Sequence, residues 1–102
     1  MPALLTLLAN QTRRQVLVEL TKKPQDRRTL AEALDVSVPA VTHHLRRLLA
    51  HDLVAAERVG QRNVYRMGRR ATLIQGRQRA ILNVSTAEGS EATLSFQPAD
   101  RS

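Results

Sequence analysis

The sequence predicts a mainly α-helical domain with a β-hairpin, followed by a second β-hairpin. Three observations indicate this α+β class. Two amphipathic helical segments flank a short turn at residues 35–37, strand-forming residues flank Gly60-Gln61, and residues 91–97 alternate between apolar and polar side chains. We predict a helical domain with its own hairpin in residues 1–70. A C-terminal hairpin and a short polar tail should occupy residues 71–102.

The charge of the chain is unevenly distributed. Lysine and arginine number 16 against 9 acidic residues, which gives a net charge of +7 and an isoelectric point near 11.5. Residues 1–70 carry 13 basic and 6 acidic side chains, whereas residues 71–102 carry 3 of each. The first part therefore holds the whole net charge. This favours binding of a polyanion such as nucleic acid over a merely solvated basic surface.

Composition also excludes several classes of site. The chain has no cysteine, which rules out disulfides, thiolate metal sites and cysteine nucleophiles. The apolar opening at residues 2–9 lacks the basic leader of a signal peptide. No apolar run approaches the roughly 18 residues of a membrane span. We expect a soluble cytoplasmic protein.

The first helical run is apolar on more than one face, because it contains Leu4, Leu5, Leu7 and Leu8. Such a helix must bury both sides, one in its own domain and the other against a second copy. We therefore expect Leu4, Leu5 and Leu8 at the interface of a homodimer. Asn10 is a natural N-cap for the next helix.

Two helices joined by a tight turn follow the polar loop at residues 22–27. Thr29 and Glu32 form the pattern of a capping box, which would begin the first helix of this pair. Ser37 is the expected N-cap of the second helix, predicted over residues 38–51. Pro39 is tolerated there because first-turn amides have no partner within the helix.

The second helix of the pair has a buried and an exposed face. Val41, Leu45 and Leu48 form its inward stripe. Helical spacing then turns a mainly polar set outward: Pro39, Ala40, Thr42, His43 and Arg46, with Arg47 toward the flank. A DNA major groove accommodates one α-helix, and Ser37 with the first-turn amides can bind a phosphate.

A predicted hairpin at residues 53–67 turns at Gly60-Gln61. Arg58, Gln61 and Arg62 cluster at its tip, where a narrow A·T-rich minor groove attracts arginine. A helix pair followed by such a basic wing is a winged helix-turn-helix, the fold we predict for this part of the chain.

The C-terminal segment predicts a second hairpin over residues 79–97. Ala92, Leu94 and Phe96 alternate with polar residues in its second strand. Ala80, Leu82 and Val84 alternate in the same way upstream, and the sequence AEGS supplies the turn. Residues 70–78 are ambiguous.

The adjacent histidines His43 and His44 invite a metal or catalytic interpretation, but the spacing opposes both. Neighbours on a helix diverge by about 100°, whereas metal-binding pairs stand three or four residues apart. Catalysis by Ser37 or Thr42 would need an orienting acid and an oxyanion loop, which the sequence lacks. We expect no metal, no cofactor and no enzymatic activity. His43 should face DNA, whereas His44 should be half-buried between helices.

Two interpretations stand for each of the basic pairs Arg13-Arg14 and Arg27-Arg28. Each pair is either a solvated surface or a contact with backbone phosphate.

Three segments resemble the ArsR-type winged-helix repressors of bacteria and archaea, namely LANQTRRQVLVEL, LAEALDVSVPAVTHHLRRLLAHDLV and RVGQRNVYRM. The resemblance covers about residues 4–67, and its most specific part is S-x-x-x-V-[ST]-H-H-L, beginning at Ser37. It implies a homodimeric transcriptional repressor that binds an inverted-repeat operator. It also implies recognition-helix roles for Ser37, Ala40, Thr42, His43 and Arg46, and a wing role for Arg62.

The chain departs from this family in four places. Gln11 stands where proline is common, and Asp52 ends the recognition helix where glycine is usual. The cysteine pair of the metal sensors is missing from the helix TLAEAL. A predicted hairpin replaces the long C-terminal helix that builds the dimer in many members. The resemblance therefore implies neither their metal sensing nor their usual dimer interface.

Two function classes follow from these observations. The first is a sequence-specific DNA-binding transcriptional regulator, and the alternative is a winged helix for protein contact, such as an antitoxin or anti-activator. Arg58, Arg62 and Arg66 give the wing a basic surface, which favours the first.

Overall fold

The computed structural model describes residues 2–86 and 88–98, with side chains from Leu4 onward. Four helices and six strands make up this part of the chain. In order they are α1 (Pro2–Leu8), α2 (Gln11–Lys22), β1 (Gln25–Asp26), α3 (Arg27–Leu34), α4 (Val38–Ala50), β2 (Val54–Val59), β3 (Arg62–Met67), β4 (Ala71–Gln75), β5 (Ala80–Ser85) and β6 (Glu91–Phe96).

Side-chain caps begin the helices α2 and α4 where the sequence predicts them. The backbone N–H of Arg13 donates to Asn10 Oδ1 at 2.9 Å, and that of Ala40 donates to Ser37 Oγ at 3.2 Å. Helix α4 ends at Ala50, one residue before the predicted end. Asp52 then adopts a left-handed conformation with φ of 60°, as its place at the end of the helix requires.

The predicted capping box of Thr29 and Glu32 is wrong. Helix α3 begins at Arg27, and its N-cap is Asp26, three residues before the predicted cap at Thr29. The Asp26 carboxylate accepts a hydrogen bond of 2.8 Å from the backbone N–H of Thr29. An ionised carboxylate is favoured at this end of the helix dipole, so Asp26 caps the helix and Thr29 becomes part of it.

The wing is a small antiparallel sheet in the strand order β1-β3-β2. Val59 pairs with Arg62, which confirms the two-residue turn at Gly60-Gln61. At the base of the wing, the N–H of Gly68 donates to Leu53 O at 2.9 Å. A Cβ at position 68 would overlap the carbonyl oxygen of Asp52, so only glycine allows the wing to lie this close to the end of α4.

The C-terminal hairpin is confirmed by β5 and β6, but it belongs to a larger element. The ambiguous segment 70–78 contains β4, and the three strands form a sheet in the order β4-β5-β6. In the predicted turn AEGS, Ala87 lies outside the described residues. Gly89 has φ of 89°, which favours glycine.

One hydrophobic core joins the helices to both sheets. It includes the predicted inward stripe of α4, together with Leu17 of α2 and Leu30 of α3, all at most 1% exposed. Ala80, Leu82 and Val84 of β5 belong to the same core. The C-terminal sheet therefore packs against the helical domain. Among the helices described, none has the length and hydrophobicity to span a lipid bilayer.

Candidate nucleic-acid interface

Helix α4 has an outward face without negative charge, since it contains no acidic residue. Burial of Val41, Leu45 and Leu48 fixes which side of the helix faces the core. The remaining side chains reach the surface to different degrees. Val38, Pro39, His43, Arg46 and Arg47 are exposed, whereas Ala40 and Thr42 are half-buried.

Two hydroxyl groups on this face already have partners within the helix. Ser37 Oγ caps the helix, which leaves its hydroxyl hydrogen available to an incoming acceptor. The hydroxyl of Thr42 donates to Val38 O at 2.9 Å. Thr42 therefore retains an accepting oxygen and a methyl group, and a methyl group is suited to contact with the methyl of thymine.

Arg46 and Arg47 extend from α4 as unpaired cations. Both side chains are exposed, and neither forms an ion pair or hydrogen bond with any residue that the structure describes. Arginine that is not engaged in the protein can form two hydrogen bonds with a guanine edge, or can bind phosphate.

The wing arginines differ in how far they are neutralised. Arg62 Nη1 lies 3.1 Å from Asp26 Oδ2, and Arg66 Nε lies 4.0 Å from a Glu57 oxygen. Arg58 instead donates through Nε to the carbonyl oxygen of Gly60, at 3.1 Å. A carbonyl bond leaves the net charge of Arg58 intact at the tip of the wing, beside the exposed Gln61.

Asp26 serves two structural purposes at once. Its carboxylate caps α3 and also binds Arg62, for which the sequence predicts only a contact with DNA. The hydrogen bonds from Thr29, with a contribution from Arg62, lower the pKa of Asp26. This carboxylate is therefore ionised at neutral pH and orients Arg62 along the wing.

The pair Arg13-Arg14 fits neither interpretation drawn from the sequence. Arg13 is only 6% exposed and donates through Nη1 to Leu7 O at 2.8 Å. Arg14 is half-buried and donates through Nη1 to Leu8 O at 2.8 Å, while its guanidinium lies 5.4 Å from the centre of the Phe96 ring. These arginines satisfy the carbonyls at the end of α1, where cations are favoured. Arg27 and Arg28 are exposed, so both interpretations of this second pair stand.

The buried side chain of Arg13 also contacts helix α4. Its Nε lies 3.4 Å from Nδ1 of His44, which is half-buried as predicted. Burial, followed by the charges of Arg13, His43 and Arg47, lowers the pKa of His44. His44 is therefore neutral at neutral pH and holds α4 against α2, whereas its neighbour His43 faces solvent. In the sequence, the only signal for this role of Arg13 is its position three residues after Asn10, the N-cap of α2.

The three leucines predicted for a dimer interface lie in different environments. Leu4 and Leu8 are 8% and 6% exposed because their own domain already covers them, whereas Leu5 is 66% exposed. Of the three, Leu5 is therefore the side chain most available to a partner.

Among the described residues, no group of three or more histidine, aspartate or glutamate side chains is arranged to hold a metal ion.

Comparisons with known proteins agree with the fold of this part of the chain. Residues 10–56, which include α2, α3 and α4, match the family model of the bacterial regulatory proteins of the arsR family. A similar solved structure is the winged helix-turn-helix DNA-binding domain of a possible ArsR-family transcriptional regulator from Mycobacterium bovis, described as homodimeric. The two chains are 29% identical with a TM-score of 0.61, and the match covers 65% of this chain and 61% of the other.

Comparison with curated proteins gave no match. The family model and the shared fold nevertheless agree on the same part of the chain. They confirm the resemblance seen in the sequence and the winged helix-turn-helix fold. The helix-turn-helix of this protein, residues 10–56, is thus similar to that of the arsR family of bacterial regulatory proteins.

Proposed function

We propose that the protein is a sequence-specific DNA-binding transcriptional repressor that binds an inverted-repeat operator as a homodimer. Helix α4 enters the major groove and the wing contacts the adjacent minor groove. Thr42, His43 and Arg46 discriminate bases, and Arg47 and Arg58 bind phosphate or the minor groove. The protein would act in the cytoplasm, where an operator is accessible, and it would need neither a cofactor nor catalytic activity.

The observation that carries this proposal is the unpaired, exposed state of Arg46 and Arg47 on a helix without acidic residues. A major groove accommodates an α-helix, and two unpaired cations on its exposed face can then bind base edges and phosphates. The wing supports the proposal because Arg58 adds an unneutralised cation at its tip. The M. bovis domain, which is described as DNA-binding and homodimeric, supports it independently.

Selection of bound fragments from a genomic library with the purified protein tests this function. We expect recovery of one inverted-repeat sequence, with half-sites about one helical turn apart. Footprinting on that sequence should protect both half-sites, and a promoter reporter should be reduced when the protein is expressed. Recovery of fragments without a common sequence would contradict base-specific reading. Failure to retain any duplex would favour the alternative, a protein-interaction module.

A further inference from the structure

An apolar groove runs between α1 and the C-terminal sheet, with a volume of about 250 Å³. Arg14 of α2 also lines the groove, but its walls are mainly aliphatic side chains from both elements: Leu4, Leu5, Leu8, Val84, Ala92 and Leu94. Leu5 stands at the groove and is 66% exposed. One surface thus combines an apolar recess with an apolar side chain that projects from it.

Strand β6 borders this groove and is an edge of its sheet. Among the described residues it pairs only with β5. Residues 92–96 contain no charge and no proline, the usual features that prevent an edge strand from pairing with another chain. The face of β6 toward the domain is apolar and its outer face carries Thr93 and Ser95, so an added strand would find matched surfaces on both sides.

We propose that a second copy of this chain occupies this surface, a geometry that rests on the homodimer proposed above. The two β6 strands pair antiparallel about a twofold axis, so that two three-stranded sheets form one six-stranded sheet. Leu5 of each copy enters the groove of the other. A twofold interface must complement itself, and a patch that contains both the projecting side chain and the recess meets this condition.

Charge distinguishes β6 from β4, the other edge of the same sheet. Arg69 and Arg70 precede β4 and Arg77 follows it, so antiparallel self-pairing of β4 would bring arginines of the two copies together. Strand β6 starts with Glu91, and neither Gln97 nor Pro98 after it is charged. The residues 71–102 are neutral as a whole, whereas the rest carries +7. Two such basic chains repel each other least where the strands that pair belong to this neutral part, as β6 does.

Single-cysteine cross-linking tests this interface in the full chain, which has no cysteine of its own. Thr93 of β6 and Thr72 of β4 are both exposed and both lie opposite Asn83, so they share one face at opposite edges. Pairing of β6 centred on Thr93 or Leu94 brings the two copies of residue 93 within about 8 Å. We expect a short bismaleimide to cross-link T93C into covalent dimers and to leave T72C largely monomeric.

A second pair of variants tests the contribution of α1. Leu5 and Ile74 are similarly exposed, at 66% and 71%, so L5E and I74E change the folded monomer to a similar degree. Sedimentation equilibrium should show at least a tenfold weaker dimer for L5E and an unchanged dimer for I74E. Circular dichroism confirms that each variant is folded.

The outcomes separate this inference from the proposed function. If the wild-type protein is dimeric but T72C and T93C cross-link equally, or neither of them cross-links, the β6 interface is overturned and the homodimer is left intact. A dimer that L5E does not weaken also overturns it. A monomeric wild-type protein contradicts the proposed homodimer itself, and binding to operator DNA would then be tested separately on the monomer.

Discussion

Nε of Arg13 lies 3.4 Å from Nδ1 of His44, and this contact joins α2 to the recognition helix α4 from inside the domain. A guanidinium can only donate, so Nδ1 must accept and the imidazole must be neutral. The same guanidinium bonds to Leu7 O through Nη1. One buried side chain therefore connects α1, α2 and α4.

This contact predicts a loss of stability in mild acid. The pKa of His44 is lower in the folded protein than its ordinary value of 6.5, so the unfolded chain takes up the proton first as the pH falls. The free energy of unfolding should therefore decrease as the pH falls from about 7 to about 5. Urea unfolding across this range measures the effect.

The variant H44Q removes the titrating group, so its free energy of unfolding should depend less on pH between about 7 and 5. H51Q is the matched control, because His51 is exposed and caps α4 through its backbone. If H44Q keeps the full slope between these pH values, His44 is not the group responsible.

The shared carboxylate of Asp26 predicts different results for two substitutions. Asparagine also serves as an N-cap, so D26N should retain α3, remove a negative charge from the wing and raise DNA affinity about threefold at low salt. D26A loses the cap and should lower the free energy of unfolding by about 1 kcal/mol. Fluorescence anisotropy and urea unfolding measure the two effects. Unchanged affinity in D26N would mean that the Asp26 charge does not affect the wing contact.

Arg46 should discriminate between bases, whereas Arg62 should contribute mainly affinity that does not depend on sequence. R46A should cost about 1–3 kcal/mol at the preferred operator and broaden the bound sequences. R62A should weaken all sequences more evenly, because it acts near the backbone at the wing. Repeating the selection with each variant provides the measurement. An R46A protein with its sequence preference intact would show that α4 is oriented differently in the groove.

The sequence without cysteine predicts no response to transition metals. Operator affinity should remain unchanged after addition of stoichiometric zinc, nickel or copper, because the chain lacks thiolates and its histidines His43 and His44 diverge on α4. A titration monitored by anisotropy measures this. A tenfold loss of affinity on adding any of the three metals is incompatible with this prediction.

Local patterns were sufficient to predict the recognition helix and the wing. Ser37 and Pro39 mark the start of α4, and the spacing of Val41, Leu45 and Leu48 defines its buried face. Gly60 marks the wing turn in the same way, with φ of 63°. Each of these signals depends on residues a few positions apart, and such signals can be recognised in a single sequence.

Features that depend on distant partners could not be predicted. The buried side chain of Arg13 donates hydrogen bonds to Leu7 O and to His44, and His44 is 31 residues away in the sequence. Arg62 meets Asp26 across 36 residues. Strand β4 could not be predicted, because Ile74 is an apolar residue on the exposed face. It breaks the alternation of apolar and polar residues that identifies a strand.

The dependence of DNA affinity on salt tests the central claim most directly. Each neutralised phosphate contributes about −0.9 to the slope of log K against log salt concentration. A dimer that uses the unpaired cations of α4 and the wing should therefore give a slope steeper than about −4 on operator duplex. A duplex titration that shows no binding at low salt would contradict the account.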